Sequence, residues 1–417
     1  MTRPHIQGQS PLWAYNAYVN LADEDAFMAR SVWAKREYLN MKMLGELVNE
    51  TDPDTELLAG GYIGLEGRYA GADWDGTSVK WEVLKKRDGS ETLLRISPDA
   101  GASGVMRAFG GSYGTAAPWA DEIGERADLA DAITRVEVTG QITCSGNLTS
   151  AFRGLSNAKT MDLRGLKLIS EDAAIENKNP AIGVASVADM LSGCASITSV
   201  RTLAADAPLP EGEALCALPS EMETGALRTA AGMLGGMPRL TEVDIAGLGK
   251  GAQGVSFAGF AAGSLTEPGS SLKMTDVATG EAASLAGAFE GCSGLETVEL
   301  TRVGGASLDA TSAFEGCAAL RSVTAVSLGA GRSDLTRAFA GCASALPADK
   351  TVAYAFTDTA ITGGCVLDQA FADAFTDPGV AAGSSVSFTA RTAPSPVASA
   401  ISTCEPADAD ARPCMIA

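Results

Sequence analysis

The sequence predicts an α+β repeat solenoid of stacked short strands and short helical turns, preceded by an N-terminal helix and a small β region. Three observations predict it. A strand pattern, apolar-x-x-apolar-x-apolar, recurs along the chain; a segment with glycine near its end precedes all copies but the first; and late copies are 25 residues apart. Self-similarity at this interval is typical of a solenoid, because one unit cannot bury its apolar stripe alone.

The chain divides into four predicted regions. Residues 1–70 are interpreted as a helical attachment or capping region, because 22–48 begin acidic, are rich in helix-forming residues and lack glycine and proline until Gly45. That predicted amphipathic helix would cap, attach or oligomerise the protein. Residues 71–132 are predicted to form a small β capping region, 133–390 the solenoid, and 391–417 a flexible tail.

Six copies of the strand pattern define the repeats. They begin at Ile133, Ala158, Ile197, Leu240, Leu295 and Leu320. The glycine-containing segments before the last five copies, and one further segment, occupy 150–155, 189–194, 232–237, 287–292, 312–317 and 337–342. In each segment we predict one helical turn whose aromatic or aliphatic residue points inward. The glycine is predicted to adopt the left-handed conformation that ends the helix. Spacing is longer upstream, so insertions such as 204–222 are predicted surface loops, and 251–280 is a degenerate region.

The repeat unit, AF-x-GC-x-x-L-x-x-V-x-L, resembles the BspA-type leucine-rich repeats of bacterial surface proteins, including the related DUF285 repeats. The resemblance extends upstream to Trp81–Leu84, to Asp88-Gly89 with Ile96-Ser97, and to Pro118-Trp119. It covers about 75–390 of the chain. This resemblance implies a leucine-rich-repeat solenoid that serves in adhesion or ligand binding.

The net charge and the hydropathy of the sequence limit the kinds of partner that this chain can bind. The formal net charge is −20, so a nucleic-acid backbone or an anionic membrane surface would repel the chain. We expect no transmembrane segment, because no apolar run approaches about 18 residues. The N-terminus lacks the apolar stretch of an ordinary signal peptide. The expected location is extracellular, on a cell surface or on a virus particle.

Cysteine follows the glycine in four of the six segments. The six residues in that position are Leu155, Cys194, Met237, Cys292, Cys317 and Cys342. Leucine and methionine provide no thiolate, so their exchange with cysteine predicts buried packing rather than a metal site or a disulfide. The odd total of nine cysteines also favours reduced thiols.

The sequence offers no suitable histidine to act as the base in the common catalytic arrangements. The single histidine, His5, lies near the N-terminus, which disfavours Ser–His–Asp and Cys–His catalysis and zinc chemistry. A G-x-G-x-x-G match at 249–254, with Asp276 about twenty residues further on, fits a nucleotide-binding pattern but is interpreted as a loop between repeats. Asp73–Gly76 resembles the start of a calcium-binding loop but lacks the remaining ligands and is interpreted as an ordinary turn. We therefore expect no catalytic residues, no cofactor and no metal; an enzyme is the third hypothesis, after the two below.

The residues between the inward apolar positions should form two rows on an outer sheet face. One row is Glu137, Asp162, Arg201, Asp244, Glu299 and Thr324; the other is Arg135, Thr160, Ser199, Glu242, Thr297 and Ser322. We expect this mainly acidic face to bind a protein or glycan on a cell surface, through basic or hydroxyl-rich groups. The alternative is a structural or receptor-binding component of a phage tail, with an oligomer formed through the N-terminal helix.

Overall fold

A computed structural model describes residues 54–63, 79–98, 104–106, 117, 119, 127–144, 148–168, 185–220, 222, 225–329, 332–345, 351–357, 369–371 and 385–389. This part of the protein is mostly one large mixed β-sheet, with two smaller sheets and almost no helix. The predicted helix at 22–48, the Asp73–Gly76 turn, His5 and the tail 391–417 lie outside the described residues.

The described elements, in chain order, are β1 (Thr55–Ile63), β2 (Val79–Lys86), β3 (Thr92–Pro98), β4 (Val105–Met106), α1 (Ala127–Ala132), β5 (Arg135–Val138), β6 (Ile142–Cys144), β7 (Thr160–Asp162), β8 (Leu166–Leu168), β9 (Ser199–Leu203), β10 (Leu215–Pro219), β11 (Glu242–Ala246), β12 (Val255–Ser256), β13 (Ser270–Val277), β14 (Ala282–Ser284), β15 (Leu295–Val303), β16 (Ser307–Asp309), β17 (Ser322–Val326), β18 (Arg332–Asp334), β19 (Ala353–Thr357) and β20 (Ser385–Thr389).

The large sheet has thirteen strands in the order β1-β2-β3-β5-β7-β10-β9-β11-β13-β15-β17-β19-β20. β1, β2 and β3 pair antiparallel, and every pair from β3 onward is parallel. β1 lies within the range assigned from sequence to the N-terminal attachment region. The smaller sheets have the orders β4-β6-β8 and β12-β14-β16-β18, both parallel.

The segments predicted as short helices are hydrogen-bonded turns instead. In the segment 312–317, the amide of Glu315 donates to Ser312 O and that of Cys317 to Phe314 O, both at 3.1 Å. Ser312 and Gly316 have φ of +53° and +75°. A left-handed residue at each end leaves no room for a run of right-handed residues, so the turn cannot extend into a helix. α1 is the one helix in the described part of the chain.

Successive turns are tied to one another by backbone hydrogen bonds. The amide of Phe314 donates to Ala338 O and that of Gly316 to Ala340 O, each at 2.8 Å. The aromatic rings stack in the same direction, with centroids 5.2 Å apart for Phe289 and Phe314 and 5.4 Å apart for Phe314 and Phe339. The turns therefore form a continuous layer that buries one side of a core shared by all the sheets.

Two regions predicted from sequence to be irregular contain regular elements. Within 204–222, predicted as a surface loop, residues 215–219 form β10, which is buried along its whole length. Within the degenerate region 251–280, β12, a turn containing Phe260 and the eight-residue β13 form another complete unit. Neither β10 nor β13 is among the six copies of the strand pattern that define the predicted repeats.

Candidate recognition surface

The predicted face residues lie on the outward side of the large sheet, in two rows. From β3 to β19 the first row is Arg95, Glu137, Asp162, Ala217, Arg201, Asp244, Lys273, Glu299, Thr324 and Ala355. The second is Leu93, Arg135, Thr160, Leu215, Ser199, Glu242, Ser271, Thr297, Ser322 and Ala353. All twelve predicted face residues fall in these rows, in the predicted sequence of strands.

β10 and β13 add members that the sequence prediction missed. β13 contributes Ser271 and Lys273, and β10 contributes Leu215 and Ala217. A signal for β13 is present in the sequence, because Leu272 and Met274 alternate with polar residues as in the other strands. The cation Lys273 stands between Asp244 and Glu299, so the row is less acidic than the sequence predicts.

Asp162 is held in an ion pair at the end of its own strand. The Arg164 guanidinium donates to both carboxylate oxygens of Asp162, at 2.8 and 2.7 Å, and the Arg164 amide adds a third hydrogen bond. Partial burial disfavours the charged carboxylate, but these hydrogen bonds outweigh it and lower the pKa of Asp162. Asp162 is therefore an internally satisfied anion at neutral pH.

The central charges of the face are also paired. Arg201 binds Glu242 on the neighbouring strand and Glu213, the latter at 3.2 Å. Lys273 donates to Asp244 at 2.8 Å, and this hydrogen bond raises the pKa of the lysine. The Arg201–Glu242 and Lys273–Asp244 contacts join adjacent strands, so they fix the lateral spacing of the charges as well as neutralising them in part.

A segment here named the strap, residues 204–214, crosses the outward face. It leaves β9 and must run back over the sheet, because β10 lies parallel to β9 on the β7 side and the inward side is filled by core. Arg164 donates to the carbonyl oxygens of Ala204 and Ala207, and Glu213 binds Arg201. The strap is thus pinned on both sides of β10.

The strap corrects one site prediction. The sequence predicts an exposed Ser199, yet this residue is 4% exposed, and the outward residues Leu215 and Ala217 beside it are 1% and 0% exposed. The Ser199 hydroxyl donates to Glu242 at 3.1 Å instead of facing solvent. The strap and the ion pairs together cover this part of the face, and exposed row residues are found on the β11 side of it.

The open area on the β11 side ends in a hydroxyl-rich patch. Glu299 and Thr324 are exposed, and Thr297 and Ser322 are partly exposed next to them. Glu299 makes no ion pair within the described residues. Among the described residues of β11 to β19 the two aromatic side chains, Tyr354 and Phe356, point inward and are buried.

A groove of about 500 Å³ lies on the four-stranded sheet, lined by Ser256, Ser284, Asp309 and Asp334 among others. These polar residues have a structural role, because each accepts a hydrogen bond from the amide two residues later. Six side chains that precede a turn do so: Ser186, Thr229, Ser256, Ser284, Asp309 and Asp334. This regular polar position before each turn is a further repeat signal in the sequence, beyond the apolar pattern.

The predicted burial is confirmed for Cys194, Cys292, Cys317 and Cys342; Cys144 and Cys216 are buried as well, and all six described cysteines are free. Burial raises the pKa of the Cys194 thiol to about 12, so it is protonated at neutral pH. Among the residues with described positions, no group of three or more His, Cys, Asp or Glu side chains could hold a metal ion. Cys365, Cys404 and Cys414 lie outside the described residues.

The G-x-G-x-x-G match at 249–254 lies in the connection from β11 to β12, and no helix follows it in the described structure. Asp276 is bound by the Arg302 guanidinium, with Nη2 2.8 Å from Oδ2. That hydrogen bond lowers the pKa of Asp276. The Asp276–Arg302 contact is thus an ion pair between the adjacent strands β13 and β15.

Comparison with known proteins yields no relative: neither a protein family, nor a curated protein, nor a solved structure matches this chain. No helix in the described ranges is long and apolar enough to span a membrane. The chemistry of the surface is therefore the basis on which a function can be proposed.

Proposed function

We propose that this protein is a non-catalytic recognition protein that binds a macromolecule through the outward face of its large sheet. We also propose that its repeats form a leucine-rich-repeat solenoid of the BspA type. The resemblance to that type implies a role in adhesion or ligand binding. The observation that supports this is the pair of in-register rows, which presents polar side chains at regular intervals over many strands. Faces of this kind offer extended binding surfaces.

The distribution of ion pairs selects the residues to test. Asp162 and Asp244 are each bound by a cation, so reversing their charge would disturb the sheet as well as any partner. Glu299 and Thr324 are exposed on the same row and adjacent strands. They are the better probes of binding, because their outer atoms contribute little to the fold.

The experiment is a binding screen of the intact chain against arrays of cell-surface proteins and glycans. Each partner found is retested with Thr324→Arg and with Glu290→Lys, an exposed control position in the turn layer whose substitution changes the net charge by more than Thr324→Arg does. We expect Thr324→Arg to weaken binding at least about tenfold, roughly 1.4 kcal/mol, and Glu290→Lys to leave it unchanged. If both variants bind every partner with equal affinity, the outward face is not the binding site. A receptor-binding component of a phage tail would use the same surface and give the same result.

A further inference from the structure

The strap limits where a long partner can lie on the outward face. It crosses between β7 and β9, held by Arg164 on one side and by the Arg201–Glu213 pair on the other. The β11, β13, β15 and β17 strands beyond it remain uncovered, with exposed side chains at Lys273, Glu299 and Thr324. A partner crossing these strands would abut the strap at one end.

Carboxylates outnumber cations on this surface, here named the strap-side surface: Glu213, Glu242, Asp244 and Glu299 against Arg201 and Lys273. Both cations are already bound, Arg201 by two carboxylates and Lys273 by Asp244. The surface therefore keeps a net negative charge, and Glu299, which makes no ion pair within the described residues, is directly available to a partner. The net charge of −20 on the whole chain adds long-range attraction for cations.

Resting on the proposed function, we propose that the strap-side surface binds an extended basic segment of a partner protein. Its surplus carboxylates complement lysine or arginine side chains. The hydroxyls of Thr297, Ser322 and Thr324 can hydrogen-bond to the backbone of such a segment. A glycan fits less well, because sugar rings commonly stack on aromatic side chains and the described strands from β11 to β19 direct theirs inward.

The test measures binding of a fluorescein-labelled peptide of alternating lysine and serine by fluorescence anisotropy, at low and at physiological salt. The variants are Glu299→Lys, Glu299→Gln and the control Glu290→Lys. Glu299→Lys and Glu290→Lys change the net charge equally, so they separate local binding from general attraction to an acidic protein. Glu299→Gln keeps the side-chain shape and guards against a folding defect, which circular dichroism also checks.

We expect Glu299→Lys to weaken peptide binding at least about fivefold, Glu299→Gln to weaken it by a smaller factor, and Glu290→Lys to change it less than about twofold. Equal losses for the two lysine variants, or no binding of the peptide to the wild-type chain, would overturn the proposal. If a glycan from the arrays binds and Thr324→Arg abolishes that binding while the peptide fails, the basic-segment proposal is wrong and the proposed function still holds.

Discussion

The thiol of Cys317 donates a hydrogen bond to the backbone carbonyl oxygen of Phe289, one repeat earlier, at 3.3 Å. The same contact joins Cys292 to Ala261 and Cys342 to Phe314. Ser264 holds the equivalent position in the unit that the sequence prediction missed, and its hydroxyl donates to Leu234 O at 2.8 Å. Where cysteine or serine fills this position, its side chain both packs and donates, whereas Leu155 and Met237 fill the same position by packing alone.

We predict that Cys317→Ser is tolerated better than Cys317→Val. Serine keeps a donor for Phe289 O, whereas valine is of similar size but leaves that contact unmade. The valine variant should lose about 1 kcal/mol more unfolding free energy than the serine variant, measured by urea denaturation. A valine variant as stable as the wild type would show that the thiol acts by packing only.

Two glycines should differ sharply in their tolerance of alanine. A Cβ on Gly305 would lie 1.7 Å from Gly280 O on the adjacent unit, so Gly305→Ala should cost at least about 3 kcal/mol. Gly316 has room for a Cβ but a φ of +75°, so Gly316→Ala should cost about 1 kcal/mol. Gly254→Ala is the control, since its Cβ would meet nothing within 4 Å. Thermal denaturation ranks the three; equal losses at Gly305 and Gly316 would contradict the close approach of the Gly305 and Gly280 backbones.

Removing the Arg164 side chain should loosen the strap. Arg164→Ala loses the hydrogen bonds to Ala204 O and Ala207 O, so a glutamate-specific protease should cut at Glu211 and Glu213 several-fold faster. Arg153→Ala, an exposed arginine in the neighbouring turn layer, is the matched control. If the two variants are cut at the same rate, the strap is held by contacts other than those of Arg164.

The Asp162–Arg164 pair should make stability depend on pH. The pKa of Asp162 is lowered in the folded state, so its contribution is fully present above the ordinary value of 3.8 and is lost as pH falls through the lowered value. Asp162→Asn should therefore be about 1–2 kcal/mol less stable than the wild type at pH 7, with the difference shrinking in acid. Urea denaturation over this pH range tests it, and a difference that stays constant would contradict the assignment.

Which residues share a face follows from the sequence alone. Alternation of side chains along a strand is a local property, so the spacing of Val243 and Ile245 is enough to place Asp244 outward. Repetition then places the same position of each unit in one row. The six predicted members of the row from Glu137 to Thr324 follow from these two facts, and the register of the sheet agrees with them. Ala217 and Lys273 belong to the same row but are not among the predicted members.

The strand order, the strap and the ion pairs depend on the tertiary fold. β10 lies between β7 and β9, where the core packs on its inward face and the strap covers its outward face, so a sequence that is apolar along its length is buried on both faces. Arg201 and Glu242 meet across 41 residues of chain. Such contacts depend on which strands become neighbours, and that choice is made by burial over the whole sheet rather than by any local pattern.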